Sequence, residues 1–148
     1  MLENGLTELG VIILENNKFK VERSGEKVIL FGVNDPSFQT NYLLGDSVSV
    51  MNMNIKDKME DSHTILLSHR PELMEVYVDN GIDLVLSGHT RGGQFRFPLI
   101  GGVAAPNQGL FTKYDPGLYE KQNTTMIVSR GIGNSIIPIR FNNRPEVI

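Results

Sequence analysis

The stretch that most constrains the fold of this 148-residue chain runs from Thr64 to Gln94. It opens with a short run of apolar and β-branched residues up to Ser68, which is typical of a strand buried on both faces. Pro71 then suits the first turn of a helix, and Gly81 is a typical helix stop. Ile82 to Leu86 is a second apolar run of strand length. The pattern predicts a β-α-β unit.

A histidine follows each of the two strands of this unit, His69 after the first and His89 after the second. A right-handed crossover lays its two strands parallel, so their carboxyl ends meet at one edge of the sheet, where sites form in open α/β sheets. If the strands are neighbours, they lie about 4.8 Å apart. Gly88 and the Gly92-Gly93 pair leave a backbone that another group can approach closely. Two interpretations stay open: a shared metal or phosphate site, or polar loop residues without such a role.

At these residues the chain closely resembles the calcineurin-like metallophosphoesterases. The segments SHRPEL and SGHTRGGQFRFP are similar to the last two motifs of that family, above all in the bacterial branch whose motif reads Gly-His-Thr-His-Gly-Gly-Gln. The likeness continues in order through LFTKYDPGLY, NTTMIVSRGIGNSIIPIR and NNRPE, and it covers nearly the whole chain. The resemblance implies an α/β fold, a mixed-sheet sandwich that forms the C-terminal half of a four-layer α/β/β/α metallophosphoesterase. Residues 1–148 would then be a single partial domain.

The resemblance also implies a two-metal phosphoester hydrolase. In the family two divalent ions, commonly manganese, iron, nickel or zinc, bridge a hydroxide and hold the phosphate oxygens, and imidazole ligands suit those ions. The family's ligand positions carry over to His69 and His89, which would serve the same metal. No catalytic residue is assigned beyond these ligands.

Two departures from the family pattern limit this expectation. The early family motifs, Asp-x-His, Gly-Asp-x-x-Asp and Gly-Asn-His, have no match here, and Gly45-Asp46 lacks the second aspartate. Since two imidazoles seldom make a tight site, we expect at most one partial metal site and a chain that is weakly active or inactive alone. The alternative is a non-catalytic anion-binding or scaffold domain that keeps the fold.

The second departure is Arg91, which stands where the family has its final histidine. One interpretation is that its permanent charge and fork of donors bind substrate phosphate directly and replace part of a lost metal. The other is relaxed selection, or a partial gene product. We favour the second interpretation, and both stay open.

Composition bears mainly on partners and location. The net charge is -3 with the basic residues scattered, so no nucleic-acid partner is expected, and the absence of cysteine excludes disulfides. No signal peptide or run approaching about 20 apolar residues is visible, so the chain as written reads as cytoplasmic. Complete relatives often carry an export signal or membrane anchor, which leaves the location of a complete form open. The family resemblance implies a phosphoester substrate, with a phospholipid-like molecule as the narrower alternative. The expected partner is the missing N-terminal half or a second copy, because half of a layered fold exposes apolar strands.

The remaining expectations concern single elements. The sequence predicts a helix from Met1 to Leu9, a helix within 38–61, a long irregular loop over 95–106, and His63 in a loop. Five further strands are expected, listed here: Val11 to Leu14, Lys18 to Arg23, Lys27 to Val33, Thr124 to Val128, and Ile136 to Phe141. Asp35 follows a strand, but Asn-Asp-Pro is common turn chemistry, so Asp35 is left out of the site.

Overall fold

The computed structural model describes residues 2–38, 46–56, 60–88, 96–97, 101–102, 104–105, 109–110, 113–132 and 144–148. Its helices are α1 (Leu2–Glu8), α2 (Ser47–Ile55) and α3 (Met74–Asp79), with short 3-10 turns at Pro36–Phe38 and Pro71–Leu73. Its strands are β1 (Asn17–Arg23), β2 (Glu26–Gly32), β3 (His63–Ser68), β4 (Leu84–Ser87), β5 (Arg96–Phe97), β6 (Gly101–Gly102), β7 (Ala104–Ala105), β8 (Gly109–Leu110), β9 (Gly117–Lys121) and β10 (Thr124–Val128).

A mixed six-stranded sheet is the centre of the fold. Its strand order is β1-β2-β3-β4-β10-β9. The four central strands run parallel, while β1 and β9 pair antiparallel at the two edges. The predicted β-α-β unit is confirmed, with β3 and β4 as direct neighbours, and so are the α/β class and the mixed sheet. The carboxyl ends of β3 and β4 therefore lie side by side.

The hydrophobic core lies between one face of this sheet and the helices α2 and α3. Every second residue of the central strands points to this helix-covered face and is buried, as the alternation of strand side chains requires. The core residues include Ile29, Phe31, Leu66, Val85, Met126 and Val128 from the strands and Met51, Ile55, Met74 and Tyr77 from the helices.

Asp46 caps α2, because its Oδ1 accepts a hydrogen bond from the Ser49 N–H at 2.7 Å. Asp46 thus has a structural role, in agreement with its exclusion from the metal motifs.

The opposite face of the sheet is apolar but not buried to the same degree, and we call it the outer face. Cross-strand register places its side chains in adjacent pairs, so they form a continuous surface. Its apolar residues are Phe19, Val21, Val28, Leu30, Ile65, Leu67, Leu84, Leu86, Leu118 and Ile127, and the same register also places His63 and Thr125 on this face. Leu67 is 39% exposed and Leu118 is 61% exposed. Apolar patches of this extent mark contact surfaces in soluble proteins.

Several element predictions are confirmed and others are wrong. The helices near the N-terminus and within 38–61 are present, as are the hairpin strands and Thr124–Val128. The predicted strand at 11–14 is wrong, since these residues are neither helix nor strand and Ile12 is 58% exposed. A strand needs a neighbour to pair with, which composition alone cannot supply. His63 opens β3 rather than lying in a loop.

Two further corrections concern the C-terminal half. The segment 95–106, predicted as irregular, contains one short antiparallel pair, β5 with β6, and the strand β7, which pairs antiparallel with β8 just after the segment. The edge strand β9 was not predicted; it joins β10 through a turn in which Gln122 has φ 51°. The predicted strand at 136–141 lies outside the described residues.

Gly32 is expected to be intolerant of a side chain. A Cβ at Gly32 would lie 2.4 Å from Leu14 Cβ and 2.5 Å from Leu14 O, so the segment before β1 would have to move. We expect Gly32→Ala to lower the free energy of unfolding by about 1–3 kcal/mol, the usual cost of overpacking. Gly5→Ala is the control, because nothing lies within 4 Å of that position in α1. Urea unfolding compares the two variants, and equal stabilities would contradict the expected clash of a Gly32 Cβ with Leu14.

Candidate functional site

His69 directly follows β3, at the carboxyl edge of the sheet where the sequence places a site. Its side chain is exposed, whereas Ser68 and Arg70 on either side of it are only 6% and 3% exposed. His69 lines a cleft of about 530 Å³ together with Glu3, Glu15 and Asp35. The chain therefore presents one imidazole to a cleft from a buried segment.

The end of β4 lies beside this histidine. Ser68 and Ser87 are register partners at the ends of β3 and β4, and Gly88 follows directly. A Cβ at Gly88 would be 3.7 Å from His69 Nδ1, so the backbone passes next to the imidazole ring. His89 and Arg91, the other two predicted site residues, lie outside the described residues. Their placement stays a prediction.

A closed set of hydrogen bonds surrounds the residue that carries this imidazole. The Tyr77 hydroxyl donates to the Arg70 carbonyl oxygen at 2.6 Å and lies 2.7 Å from Ser68 Oγ. The Arg70 N–H in turn donates to Ser68 Oγ at 3.4 Å, the longest of the three contacts. Burial raises the pKa of Tyr77, so this hydroxyl is neutral at physiological pH. Tyr77 belongs to α3, and it thereby ties that helix to both neighbours of His69.

The Arg70 side chain links the same segment to the loop that follows β2. Its Nε donates to Asp35 Oδ2 at 2.8 Å and its Nη2 donates to Asp35 Oδ1 at 2.7 Å, which is a bidentate ion pair. The Nη1 atom donates to Glu72 Oε1 at 3.2 Å. The Arg70 and Asp35 side chains are 3% and 8% exposed, so the pair is largely desolvated.

The protonation states of this pair follow from its contacts. Burial by itself would raise the pKa of Asp35, but hydrogen bonds from Arg70 and Ser37 outweigh it and lower that pKa from 3.8 to about 2. The hydrogen bonds and charge of Asp35 raise the pKa of Arg70. Both groups are therefore charged throughout the physiological range.

Asp35 has a larger role than its sequence context indicated. It does make the expected turn, because the Ser37 N–H donates to Asp35 Oδ1 at 2.9 Å. Its pairing with Arg70, beside His69, was not anticipated. The available signal was its position after β2, whose carboxyl end lies next to that of β3 in a parallel sheet.

The chain is 38% identical over 84 residues to the uncharacterized metallophosphoesterase YkuE of Bacillus subtilis, a match that covers 57% of this chain and 29% of the relative. It is 41% identical over 83 residues to the phosphodiesterase YaeI of Escherichia coli, which covers 56% of this chain and 30% of the relative. The chain is thus similar to the calcineurin-like metallophosphoesterases.

The chain matches the C-terminal part of those larger relatives. It is also 30% identical over 138 residues to the uncharacterized protein YpbG of Bacillus subtilis, which covers 93% of this chain and 46% of the relative. The chain thus spans about half the length, or less, of these curated relatives. Neither a model of a protein family nor a solved structure matches it. None of the helices within the described residues is long and apolar enough to cross a membrane.

Similarity to metallophosphoesterases implies dependence on divalent metal, as in that family. The described residues supply part of a suitable donor set, since the His69 imidazole is a normal ligand for borderline divalent ions. The oxygens of Asp35 already accept hydrogen bonds from Arg70 and Ser37. Within the described residues no group of three or more His, Cys, Asp or Glu could hold a metal ion. The part of the chain that is described therefore fits one ligand of a metal site rather than a whole site.

Proposed function

We propose that this chain is the C-terminal half of a metal-dependent phosphoester hydrolase, a single partial domain over residues 1–148 that needs a second half for activity. The observation that carries the proposal is the position of His69 at the carboxyl edge of the sheet, 3.7 Å from where a Gly88 Cβ would stand. His89 is the next residue in the chain. The backbone at Gly88 lies beside the His69 ring, and on this basis we propose His89, the next residue, as a second ligand of the same ion.

The chain's own residues contribute to the chemistry by holding the metal ion and orienting the substrate. His69 and His89 act as neutral imidazole ligands of one divalent ion, with manganese, iron, nickel and zinc as candidates. A bound two-metal centre lowers the pKa of the attacking water and neutralises charge on the phosphate oxygens. Substrate binding by Arg91, in which its guanidinium would contact phosphate oxygens, stays the alternative to relaxed selection at this position.

The proposed substrate class is phosphoesters, with phospholipid-like molecules as a narrower possibility derived from the family resemblance. Support for the broader class comes from the relatives, one of which is named a phosphodiesterase. Nucleic acid is not proposed as a partner, because the net charge is -3 and the basic residues are scattered. Membrane association or export of a complete form stays a prediction.

The proposed partner is the half of the protein that the relatives possess and this chain does not span. The outer face supports this proposal, since a continuous apolar sheet surface is suited to packing against another sheet about 10 Å away. When that half is missing, the same surface favours self-association.

The rival function is a non-catalytic domain that keeps the fold and uses His89 and Arg91 to hold an anion. Metal-dependent turnover separates the two functions. The test is a fusion of this chain to the N-terminal part of the E. coli relative YaeI, assayed for hydrolysis of an aryl phosphodiester with manganese. We expect turnover that falls at least about 100-fold in His69→Ala and in His89→Ala, because each change removes a metal ligand. Anion binding without turnover in the fusion would support the rival function.

Arg91→His in the same fusion tests the interpretation of Arg91. If this position has lost a metal ligand, histidine restores it, and we expect both second-metal occupancy and phosphodiesterase activity to rise, by about tenfold for a restored ligand. Metal content by elemental analysis and turnover are measured on the same samples. Unchanged occupancy and activity would show that the lost-ligand interpretation is wrong.

A further inference from the structure

We propose that Tyr77 and the Arg70–Asp35 ion pair are positioning groups that hold the His69 segment in one backbone conformation for ligand binding. The ligand-binding part rests on the proposed function, whereas the positioning part concerns this chain's own residues and can be measured without a ligand.

Tyr77 constrains both neighbours of His69 with one hydroxyl. Its ring is fully buried in α3, and its oxygen contacts Ser68 Oγ at 2.7 Å and the Arg70 carbonyl oxygen at 2.6 Å. A buried hydroxyl that lost either contact would have an unsatisfied group, so both contacts are strongly favoured. The residue between the two contacts therefore has little freedom to move along the strand direction.

The ion pair adds a second constraint from a different element. Asp35 lies in the loop after β2, and the bidentate geometry fixes the direction of the Arg70 guanidinium as well as its distance. Stability alone is a weak reason for such a pair, since replacing a buried ion pair by apolar residues is often neutral or stabilising. A positioning role accounts for its location next to an exposed histidine.

These two constraints pre-organise the backbone that carries the His69 imidazole. Ser68 and Arg70 are buried while the His69 side chain between them is exposed to the cleft. Binding to a segment that is already ordered costs less conformational entropy than binding to a mobile one. The same logic explains why groups that support metal ligands commonly change affinity by about 10- to 100-fold when they are removed.

The test compares Tyr77→Phe with Tyr119→Phe by ¹⁵N relaxation of the whole chain, at a temperature where both variants are fully folded. Tyr119 is the matched control, because its hydroxyl also donates to a backbone carbonyl, that of Asp115 at 2.7 Å, but in the segment that leads into β9. We expect Tyr77→Phe to lower the amide order parameters of His69 and Arg70 from about 0.85 to below about 0.7. Tyr119→Phe is expected to leave them unchanged. Unchanged order at His69 in Tyr77→Phe and in Asp35→Asn overturns the proposal.

A second readout separates this proposal from the proposed function. In the fusion protein, Tyr77→Phe is expected to weaken manganese binding about tenfold, while Tyr119→Phe leaves it unchanged. A loss of order at His69 in a fusion that binds no manganese would support positioning and contradict the metal-site proposal. Manganese binding that is equal in the wild type and Tyr77→Phe would overturn the positioning role and leave the metal-site proposal intact.

Discussion

Asp35→Ala is expected to lower the free energy of unfolding by about 3–5 kcal/mol at neutral pH, the usual cost of removing one partner from a buried ion pair. The physical reason is the Arg70 guanidinium, which is 3% exposed and would keep its charge without its bidentate partner. Glu72 alone cannot compensate, since it accepts a single hydrogen bond from Arg70 at 3.2 Å. Urea unfolding of the wild type and the variant measures the difference.

The double variant Asp35→Ala with Arg70→Met is the control for this interpretation. It removes both charges and keeps most of the apolar volume of Arg70, so it should be more stable than Asp35→Ala by about 2 kcal/mol or more. A double variant that is no more stable than the single one would show that packing, rather than an unpaired charge, sets the cost.

The effect of Asp35→Ala should also depend on pH. Because the folded-state pKa of Asp35 is lowered from 3.8 to about 2, the ion pair contributes fully above the unfolded value and its contribution disappears as pH falls through the folded value. The stability difference between wild type and Asp35→Ala should therefore shrink by about 2 kcal/mol between pH 6 and pH 2. A difference that stayed constant over this range would contradict the assignment of Asp35 as the charged partner.

Self-association through the outer face is the second large effect that we expect. Leu67 and Leu118 lie on that face and are 39% and 61% exposed, so a dimer that buries the exposed part of each leucine gains about 0.5–2 kcal/mol for each one. A lysine in either place would have to be buried with its charge. We expect the wild-type chain to associate, and Leu67→Lys to raise the dissociation constant at least about 100-fold.

Val48→Lys is the matched control for the outer face. Val48 is similarly exposed, at 48%, but it belongs to α2 on the other side of the sheet. Sedimentation equilibrium of the three proteins measures the dissociation constants. A wild-type chain that stays monomeric at high concentration would show that the outer face needs no partner.

The sequence sufficed for those parts of the fold that depend on short-range patterns. The β3-α3-β4 unit follows from apolar runs and from Pro71 and Gly81, and Gly81 does adopt the expected left-handed backbone with φ 67°. Its strands were therefore predicted in the right order, and the structure adds that they are direct neighbours. The segment 11–14 has an equally strong strand composition, yet it lacks a pairing partner among the described strands.

The contacts that hold the His69 segment in place could not be predicted from the sequence in the same way. Asp35 and Arg70 are 35 residues apart, and their pairing depends on β2 and β3 being parallel neighbours. A hydrophobic pattern does not specify such a contact, because both residues also fit ordinary turn and helix-start positions. The edge strand β9 was missed for a related reason: most of its side chains are exposed, so its apolar alternation is weak. Resemblance to the family, not periodicity, indicated His69 as a ligand.

Hydrolysis of an aryl phosphodiester by the purified chain, with and without manganese, tests most directly the claim that this is an incomplete half of a metallophosphoesterase. His89→Ala serves as the inactive control, and the fusion to the N-terminal part of the E. coli relative serves as the active one. We expect the isolated chain to show no activity above His89→Ala, and the fusion to show metal-dependent turnover. Metal-dependent hydrolysis by the isolated chain that is lost in His89→Ala would contradict the claim, because the site would then be completed without a second half.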